Sequence, residues 1–178
     1  MNIVVETQRT VVRAIEASDL QSYFAVESDD KAKKFLGGPL RKSIEEIRHN
    51  FPPRHWKLYD VMAVIERNSG SYMGRCSLKE DGENRELEIV LGSLWQGQGY
   101  GHKVCKALIF FAVNNLSAAG VSAKVHPENE ASIRLLRKLG MEKIRTSSDT
   151  GIYKGFEIFY AASNVFRSGV LTNHRSDF

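Results

Sequence analysis

A glycine-rich segment, Gln96-Gly97-Gln98-Gly99-Tyr100-Gly101, constrains the fold of this chain more than any other feature. It lies between an apolar-rich strand candidate, Glu86–Leu91, and the segment His102–Asn115, in which apolar residues recur at helical spacing. A turn of this kind directs several backbone N–H groups at one point, and the helix dipole reinforces their field. Glycine allows a phosphate to approach the backbone closely. The segment therefore predicts a pyrophosphate site.

Two common phosphate-binding motifs do not fit this segment. A dinucleotide motif needs G-x-G-x-x-G, and the sixth position counted from Gly97 is His102. A P-loop needs Gly-Lys followed by Ser or Thr, and the sequence contains no such triplet. A plain strand-to-helix connection would use the same glycines, so the segment alone leaves the ligand open.

A second segment, His126–Met141, follows about one strand downstream. Pro127 and Asn129 suit a helix start, and Gly140 suits a helix end, so a purely structural helix would explain the segment if it stood alone. Taken together, the two segments resemble the two signatures of the GNAT acetyltransferases. The first matches the acetyl-CoA signature Gln-x-x-Gly-x-Gly. The second matches an Asn-x-x-Ser helix start that runs to Leu-Gly-Phe, with Met141 in place of the phenylalanine.

The resemblance extends over about Gln8–Ala161. Two opening segments, Arg9–Arg13 and Phe35–Pro39, resemble the GNAT branch that contains the ribosomal-protein alanine N-acetyltransferases. The same branch contains acetyltransferases of small amines and antibiotics. These segments therefore indicate the branch and leave the substrate open.

The order of strand and helix patterns predicts an α/β (α+β) fold. We expect one GNAT domain over residues 1–162, with a mixed, mostly antiparallel, seven-stranded sheet, about four helices and a central parallel β-α-β crossover. The remaining residues, 163–178, are expected to form a tail that is either mobile or part of an interface. The predicted strands cover residues 10–15, 61–66, 72–79, 86–91, 121–125, 141–146 and 155–161. The predicted helices begin at a Ser18 cap, at a Ser43 and Glu46 capping box, after the glycine-rich segment and at Asn129.

Composition limits the cellular setting and the partners. With 178 residues, of which 42% are hydrophobic, the chain can bury one sizeable core. No apolar run approaches the roughly 18 residues that span a bilayer, and the N-terminal residues show no signal-peptide core, so we expect a cytoplasmic protein without membrane contact. Cys76 and Cys105 stand outside any metal-binding motif, which predicts no metal site. The net charge of +4 is mild and its residues are scattered, so direct nucleic-acid binding is not expected.

The resemblance implies that acetyl-CoA is the co-substrate. Its pantetheine arm would lie between the strands Glu86–Leu91 and Val121–Val125, where an amide N–H near Val90 or Leu91 would polarise the thioester carbonyl. The residues implied to contact it are Val90, Leu91, Gln96, Gly97, Gln98, Gly99, Tyr100, Gly101, Asn129 and Ser132.

Three residues are candidates for the proton transfers. Glu86 and Glu88 stand two apart on the strand beside the thioester and face the same side, so either could be the general base; both could instead be solvated and paired with Arg85 or a lysine. Many GNAT enzymes place a tyrosine acid where this chain has Leu136. Ser132 could supply the thiolate's proton instead, or simply satisfy a local N–H.

The acceptor is less defined. We expect a primary amine, either a small molecule or a protein N-terminus. Basic residues outnumber acidic ones between Asp29 and Tyr59, which disfavours a polycationic acceptor. Tyr153 and Tyr160 could also reach the site. The protein is expected to be a monomer or homodimer. The alternative function is that of a catalytically weak acyl-CoA-binding sensor or interaction module, which the leucine at position 136 would favour.

Overall fold

An eight-stranded sheet organises the computed structural model, which describes residues 2–167. All neighbouring strands pair antiparallel except β5 and β6, which are parallel. Across the sheet the strand order is β1-β2-β3-β4-β5-β6-β8-β7. The strands are β1 (Ile3–Glu6), β2 (Thr10–Ala14), β3 (Met62–Glu66), β4 (Tyr72–Asp81), β5 (Asn84–Leu91), β6 (Gly120–Val125), β7 (Glu142–Thr146) and β8 (Glu157–Ala162).

Six α-helices connect or follow these strands within the described residues. They are α1 (Leu20–Glu27), α2 (Asp30–Lys33), α3 (Ile44–Arg48), α4 (Tyr100–Asn114), α5 (Glu130–Lys138) and α6 (Ser163–Arg167). Short 3-10 turns occur at Ala17–Asp19, Ser93–Trp95 and Gly151–Tyr153. The predicted α/β class, with a mostly antiparallel sheet and one parallel β-α-β unit, is confirmed.

The sheet has one strand more than the seven predicted. The additional strand is β1, whose four residues pair antiparallel with β2 at the edge of the sheet. All four predicted helices are present, and the two additional ones, α2 and α6, have only four and five residues. Elements this short carry too few residues to establish a periodic pattern.

The predicted Ser18 cap is wrong. A 3-10 turn with Glu16 as its N-cap precedes α1, and the Asp19 carboxylate accepts from the Glu16 N–H at 2.8 Å. Asp19 also forms a buried ion pair with Arg13 at 2.7 Å, which ties the turn to β2. The cap therefore has a tertiary partner that a local sequence pattern does not reveal.

Helix α4 covers the centre of the sheet and packs against β5. Its buried residues, among them Val104, Leu108 and Ala112, join Met73 on β4 and Phe159 on β8 in one core. Phe166 of α6 is 6% exposed and belongs to the same core. The domain boundary at residue 162 remains a prediction, and the proposed tail beyond Arg167 lies outside the described residues.

Candidate functional site

The glycine-rich segment forms the loop that leads into α4. Gly97 and Gly99 both adopt left-handed backbone conformations, with φ of 75° and 80°, and Gly99 is the N-cap of the helix. Side chains with a Cβ rarely adopt this conformation, so the loop requires glycine at these two positions. Tyr100 and Gly101 begin the helix, and helix geometry leaves their N–H groups without an intrahelical acceptor. An anion bound here, as predicted, would therefore be held by backbone N–H groups.

The two glutamines of the loop use their side chains within the protein. Gln96 donates its amide to the Leu91 carbonyl at 2.8 Å, and Gln98 donates to the Leu94 carbonyl at 2.7 Å. Both bonds connect the loop to the chain that leaves β5. These side chains fix the loop, so any contact that Gln96 and Gln98 make with a ligand must come mainly from their backbone.

Strands β5 and β6 separate beside this loop. Their parallel pairing is confined, within the described strands, to Arg85 with Val121 and Glu86 with Ser122. Strand β4, in contrast, pairs with the full length of β5. The carboxyl half of β5 therefore has one edge directed toward an opening, and the glycine-rich loop begins at the same end of the strand.

The backbone alternation of β5 determines which N–H groups face that opening. Gly92 donates its N–H to the Met73 carbonyl on the β4 side at 2.9 Å. The Val90 carbonyl also faces β4, because a Cβ on Gly74 would lie only 2.1 Å from it. Since successive residues of a strand point their backbone groups to opposite sides, the N–H of Leu91 is directed away from β4 and toward β6. Of the two predicted donors, Leu91 has the suitable orientation.

Asn129 and Ser132 lie at the start of α5, which follows β6 directly. Asn129 is the helix N-cap, and its side-chain oxygen accepts from the Ser132 N–H at 3.2 Å. The local bond thus uses the backbone of Ser132, and its hydroxyl has no hydrogen-bond partner among residues 2–167. Leu136, one turn further, is 6% exposed and packs in the core. The hydroxyl of Ser132 is consequently available for a ligand.

Glu88 is part of a buried charge network. Arg75 on β4 forms ion pairs with both Glu88 and Glu27, and Glu27 also contacts Lys33 at 2.6 Å. Burial raises the pKa of Glu88, but the charge and hydrogen bond of Arg75 outweigh it and hold this pKa below its ordinary value. Tyr153 donates its hydroxyl to Glu88 at 3.4 Å. Burial and the nearby Glu88 and Glu86 raise the pKa of Tyr153.

Glu86 lies two residues earlier and has different partners. Its carboxylate lies 3.0 Å from the Lys124 ammonium on β6, which also contacts Asp149 at 3.2 Å. Lys124 is 5.3 Å from the centre of the Tyr153 ring. Glu86 and Glu88 thus lie on the same side of β5, as the strand periodicity predicts, with Tyr153 near both.

An open cavity of about 630 Å³ lies over Glu88, with Arg75 and Tyr153 in its wall. Tyr23 and Trp56 form an aromatic part of the wall, with ring centres 6.1 Å apart. Glu86 is not among the lining residues. Tyr160 lies elsewhere, with its hydroxyl 3.4 Å from Asn84 at the start of β5. Of the two tyrosines considered, Tyr153 and Tyr160, the structure brings only Tyr153 to this cavity.

The residues that line the cavity are Tyr23, His55, Trp56, Lys57, Asp60, Val61, Arg75, Lys79, Glu80, Glu88 and Tyr153.

Sequence reasoning missed Arg75 and Lys124. Each is a basic residue within a strand, and its importance follows only from pairing between strands. Arg75 stands opposite Val90 and Ser77 opposite Glu88, so the proximity of Arg75 to Glu88 follows only from the β4–β5 register.

Within residues 2–167 no group of three or more His, Cys, Asp or Glu side chains could hold a metal ion. Over the same residues no helix is long and apolar enough to cross a membrane.

Solved structures of acetyltransferases share this fold. The spermidine N-acetyltransferase from Vibrio cholerae, solved with CoA and spermine, superimposes with a TM-score of 0.73 at 14% identity over 88% of this chain and 96% of that one. The ribosomal-protein-S5-alanine acetyltransferase from Vibrio fischeri gives 0.71 at 18% identity over 90% and 97%. At these identities the likeness shows the fold alone.

Sequence comparison identifies the family. The uncharacterized N-acetyltransferase YoaA of Bacillus subtilis is 26% identical over 150 residues, which cover 79% of this chain and 83% of that protein. The sequence model described as the acetyltransferase (GNAT) domain matches residues 9–142, which is most of the chain and includes the glycine-rich loop and the start of α5. The protein therefore belongs to the GNAT acetyltransferase family and is an acyltransferase.

Proposed function

We propose that this protein transfers the acetyl group of acetyl-CoA to a primary amine with a low pKa, such as the α-amine of a protein N-terminus or of a small molecule. One observation carries the proposal. The carboxyl half of β5, which is not paired with β6, leads toward the glycine-rich loop, and Glu88 in that half lines the cavity together with Tyr153. A cofactor held at the loop and an acceptor in the cavity would therefore meet along one strand.

The backbone around the loop suits acetyl-CoA. Left-handed Gly97 and Gly99 and the free N–H groups at the start of α4 favour a pyrophosphate. The open edge of β5 offers hydrogen-bonding groups to an extended amide-containing arm. Acetyl-CoA supplies the activated acyl group, and the Leu91 N–H is the donor we assign to its carbonyl oxygen.

Glu88 is the better candidate for the base. Both carboxylates are paired with a basic side chain, but Glu88 lines the cavity and Glu86 does not. A carboxylate with a lowered pKa is a weak base, so the acceptor must contribute a partly neutral amine itself. An α-amine with a pKa of about 8 meets this requirement at neutral pH, and a lysine-like amine at about 10.4 does not. Glu88 would receive the proton directly or through water.

Ser132 is the proton donor we assign to the leaving thiolate. Its hydroxyl is free of protein partners among the described residues, and its position at the start of α5 places it at the carboxyl end of β6. Leu136 is in the core and carries no proton to donate. We therefore assign the proton donor to the Ser132 hydroxyl at the start of α5.

The charge of the cavity supports a small or peptide acceptor over a polyamine. Three of its lining residues are acidic, Asp60, Glu80 and Glu88, and three are basic, Lys57, Arg75 and Lys79. A polycation would be favoured by an excess of negative charge, which this cavity lacks. The aromatic wall of Tyr23 and Trp56 suits the apolar part of an acceptor.

The test is a thiol-release assay with acetyl-CoA and a panel of acceptors at matched concentration. The panel contains short peptides with free N-termini, the same peptides with acetylated N-termini and an internal lysine, small primary amines, and spermidine. We expect the highest kcat/KM for free α-amines. Equal activity on spermidine and α-amines would contradict the acceptor assignment.

Cofactor binding is measured separately by thermal unfolding. Acetyl-CoA at 100 times its Kd is expected to stabilise the fold by about 2.7 kcal/mol. Stabilisation without turnover on any acceptor would contradict the enzymatic proposal and favour an acyl-CoA-binding module. The absence of any stabilisation would contradict both.

A further inference from the structure

Arg9 contacts the glycine-rich loop from a distant part of the sequence. Its guanidinium donates to the Gln98 carbonyl at 2.9 Å, across 89 positions of the chain. The same group lies 4.1 Å from the centre of the Tyr100 ring. It thus touches the two residues on either side of Gly99, the N-cap of α4.

The backbone that carries Arg9 is held firmly. Arg9 lies in the turn between β1 and β2, where the Thr7 hydroxyl accepts from the N–H groups of Arg9 and Thr10 at 3.3 and 3.0 Å. The carbonyl of Arg9 accepts from the Arg67 N–H at 2.9 Å. Thr7 and Thr10 are 6% and 1% exposed, so this turn is a buried, hydrogen-bonded anchor. Because its backbone is fixed at this anchor, the Arg9 side chain can limit the movement of the loop that it contacts.

Tyr100 provides the second contact surface. Its side chain is 9% exposed, and its ring meets Trp95 edge-on with centres 5.9 Å apart. The planar guanidinium of Arg9 covers one face of this fixed ring, an arrangement that favours arginine over lysine. The position of the guanidinium relative to α4 is therefore set independently of its bond to Gln98.

The bond to Gln98 determines the direction of the next N–H. In a trans peptide the carbonyl and the N–H point in opposite directions. Since the Gln98 carbonyl is directed at Arg9, the Gly99 N–H is directed away from it. We infer that Arg9 is a positioning residue that holds the Gln98–Gly99 peptide with its N–H toward the pyrophosphate. This inference rests on the proposed function, because it takes the loop to be the acetyl-CoA site.

A different role would be a direct ion pair between Arg9 and a phosphate. The two roles predict different effects of salt, since an ion pair is screened by added salt and a fixed peptide orientation is not. They also differ for lysine at position 9. Lysine keeps the charge but loses the planar, two-sided contact with Gln98 and Tyr100.

The experiment uses the full chain with Arg9→Gln and Arg9→Lys. Kd for CoA is measured by calorimetry at low and high salt, and KM and kcat are measured for acetyl-CoA. For Arg9→Gln we expect Kd and KM to rise about tenfold, as for a lost charged hydrogen bond, with kcat retained at saturation. The relative effect of salt on Kd should equal that of the wild type, and Arg9→Lys should resemble Arg9→Gln.

The matched control is Arg67→Gln. Arg67 is an exposed arginine near the same edge of the sheet, and its side chain pairs with Glu6 at 2.8 Å. We expect its Kd for CoA to equal that of the wild type. Unchanged Kd in Arg9→Gln, a reduced salt effect in that variant, or wild-type affinity in Arg9→Lys would each overturn the inference. A wild-type protein that does not bind CoA would overturn the proposed function together with it.

Discussion

Arg75 and Glu88 form an ion pair diagonally across two antiparallel strands, because Arg75 stands opposite Val90 and Glu88 stands opposite Ser77. Arg75 is held from its other side by Glu27. Against the opposing effect of burial, Arg75 lowers the pKa of Glu88, which lines the cavity and accepts from the Tyr153 hydroxyl. A strand register thus contributes to the pKa of the group to which we assign proton transfer.

Replacing Glu88 by Gln should lower kcat/KM for an α-amine acceptor by roughly a hundredfold, within the usual range for loss of a general base. Glu86→Gln should cause a much smaller loss, because Glu86 is not among the residues that line the cavity. The two variants make the same chemical change two positions apart on one strand. Steady-state kinetics with saturating acetyl-CoA compares them, and a larger loss in Glu86→Gln would reverse the assignment.

Glu88→Gln also tests how the free energy of unfolding depends on pH. The pKa of Glu88 is lower in the folded protein than its ordinary 4.5, so its ionised form stabilises the fold above about pH 4.5. This contribution is lost as the pH falls through the folded value. The free energy of unfolding of the wild type should therefore exceed that of Glu88→Gln at neutral pH.

This difference should shrink as the solution is acidified below about pH 4.5. Urea unfolding at neutral pH and at about pH 3 measures it. Asp29, Glu46, Glu66 and Asp149 also have lowered pKa values, but they are present in both proteins and cancel in the comparison. A difference that stays constant with pH would show that Glu88 stabilises the fold without titrating.

The parts of the site that sequence could predict are those with local causes. The glycine-rich loop needs left-handed backbone, and the Asn129 cap needs a side-chain acceptor three residues before Ser132; both requirements appear in consecutive residues. The contacts of Arg75 with Glu88 and of Arg9 with Gln98 depend on how separate strands and loops meet. No local pattern contains that information.

The same distinction explains the errors in the fold. The seven predicted strands correspond to the seven strands that have five or more residues. Strand β1 has only four residues and depends on pairing with β2. Ser18 has the residue type of a cap, but at this turn it is the Asp19 carboxylate that accepts a backbone N–H, from Glu16, and Asp19 also pairs with Arg13. In both cases contacts with residues outside the element determine the local structure, and the local residue pattern does not contain them.

Ser132→Ala should lower kcat by about tenfold to a hundredfold and leave stability nearly unchanged. The fold needs only the backbone N–H of Ser132, which alanine retains. Asn129→Ala should behave differently, because it removes the cap and costs about 1 kcal/mol, or roughly 2–4 °C in Tm. Thermal unfolding and turnover of both variants separate chemistry from capping. Full activity in Ser132→Ala would assign the proton donor elsewhere.

Gly101→Ala should separate folding from cofactor binding. A Cβ at this position would lie 3.8 Å from a Leu135 methyl group, an ordinary contact, and alanine favours a helix over glycine by about 0.5–1 kcal/mol. We therefore expect an unchanged or higher Tm. A methyl group beside the cradle would obstruct a phosphate, so Kd for CoA should rise by about tenfold or more.

The control for this variant is Asn114→Ala at the far end of α4, where an exposed side chain donates to the Phe110 carbonyl at 2.9 Å. It changes the same helix toward a stronger helix former but lies away from the loop. Its Kd for CoA should match that of the wild type. Since neither variant is expected to disturb the core, weaker CoA binding in Gly101→Ala alone would locate the pyrophosphate at the start of α4. Equal binding in both variants would exclude that position, because a phosphate held by these N–H groups leaves no room for the added methyl group.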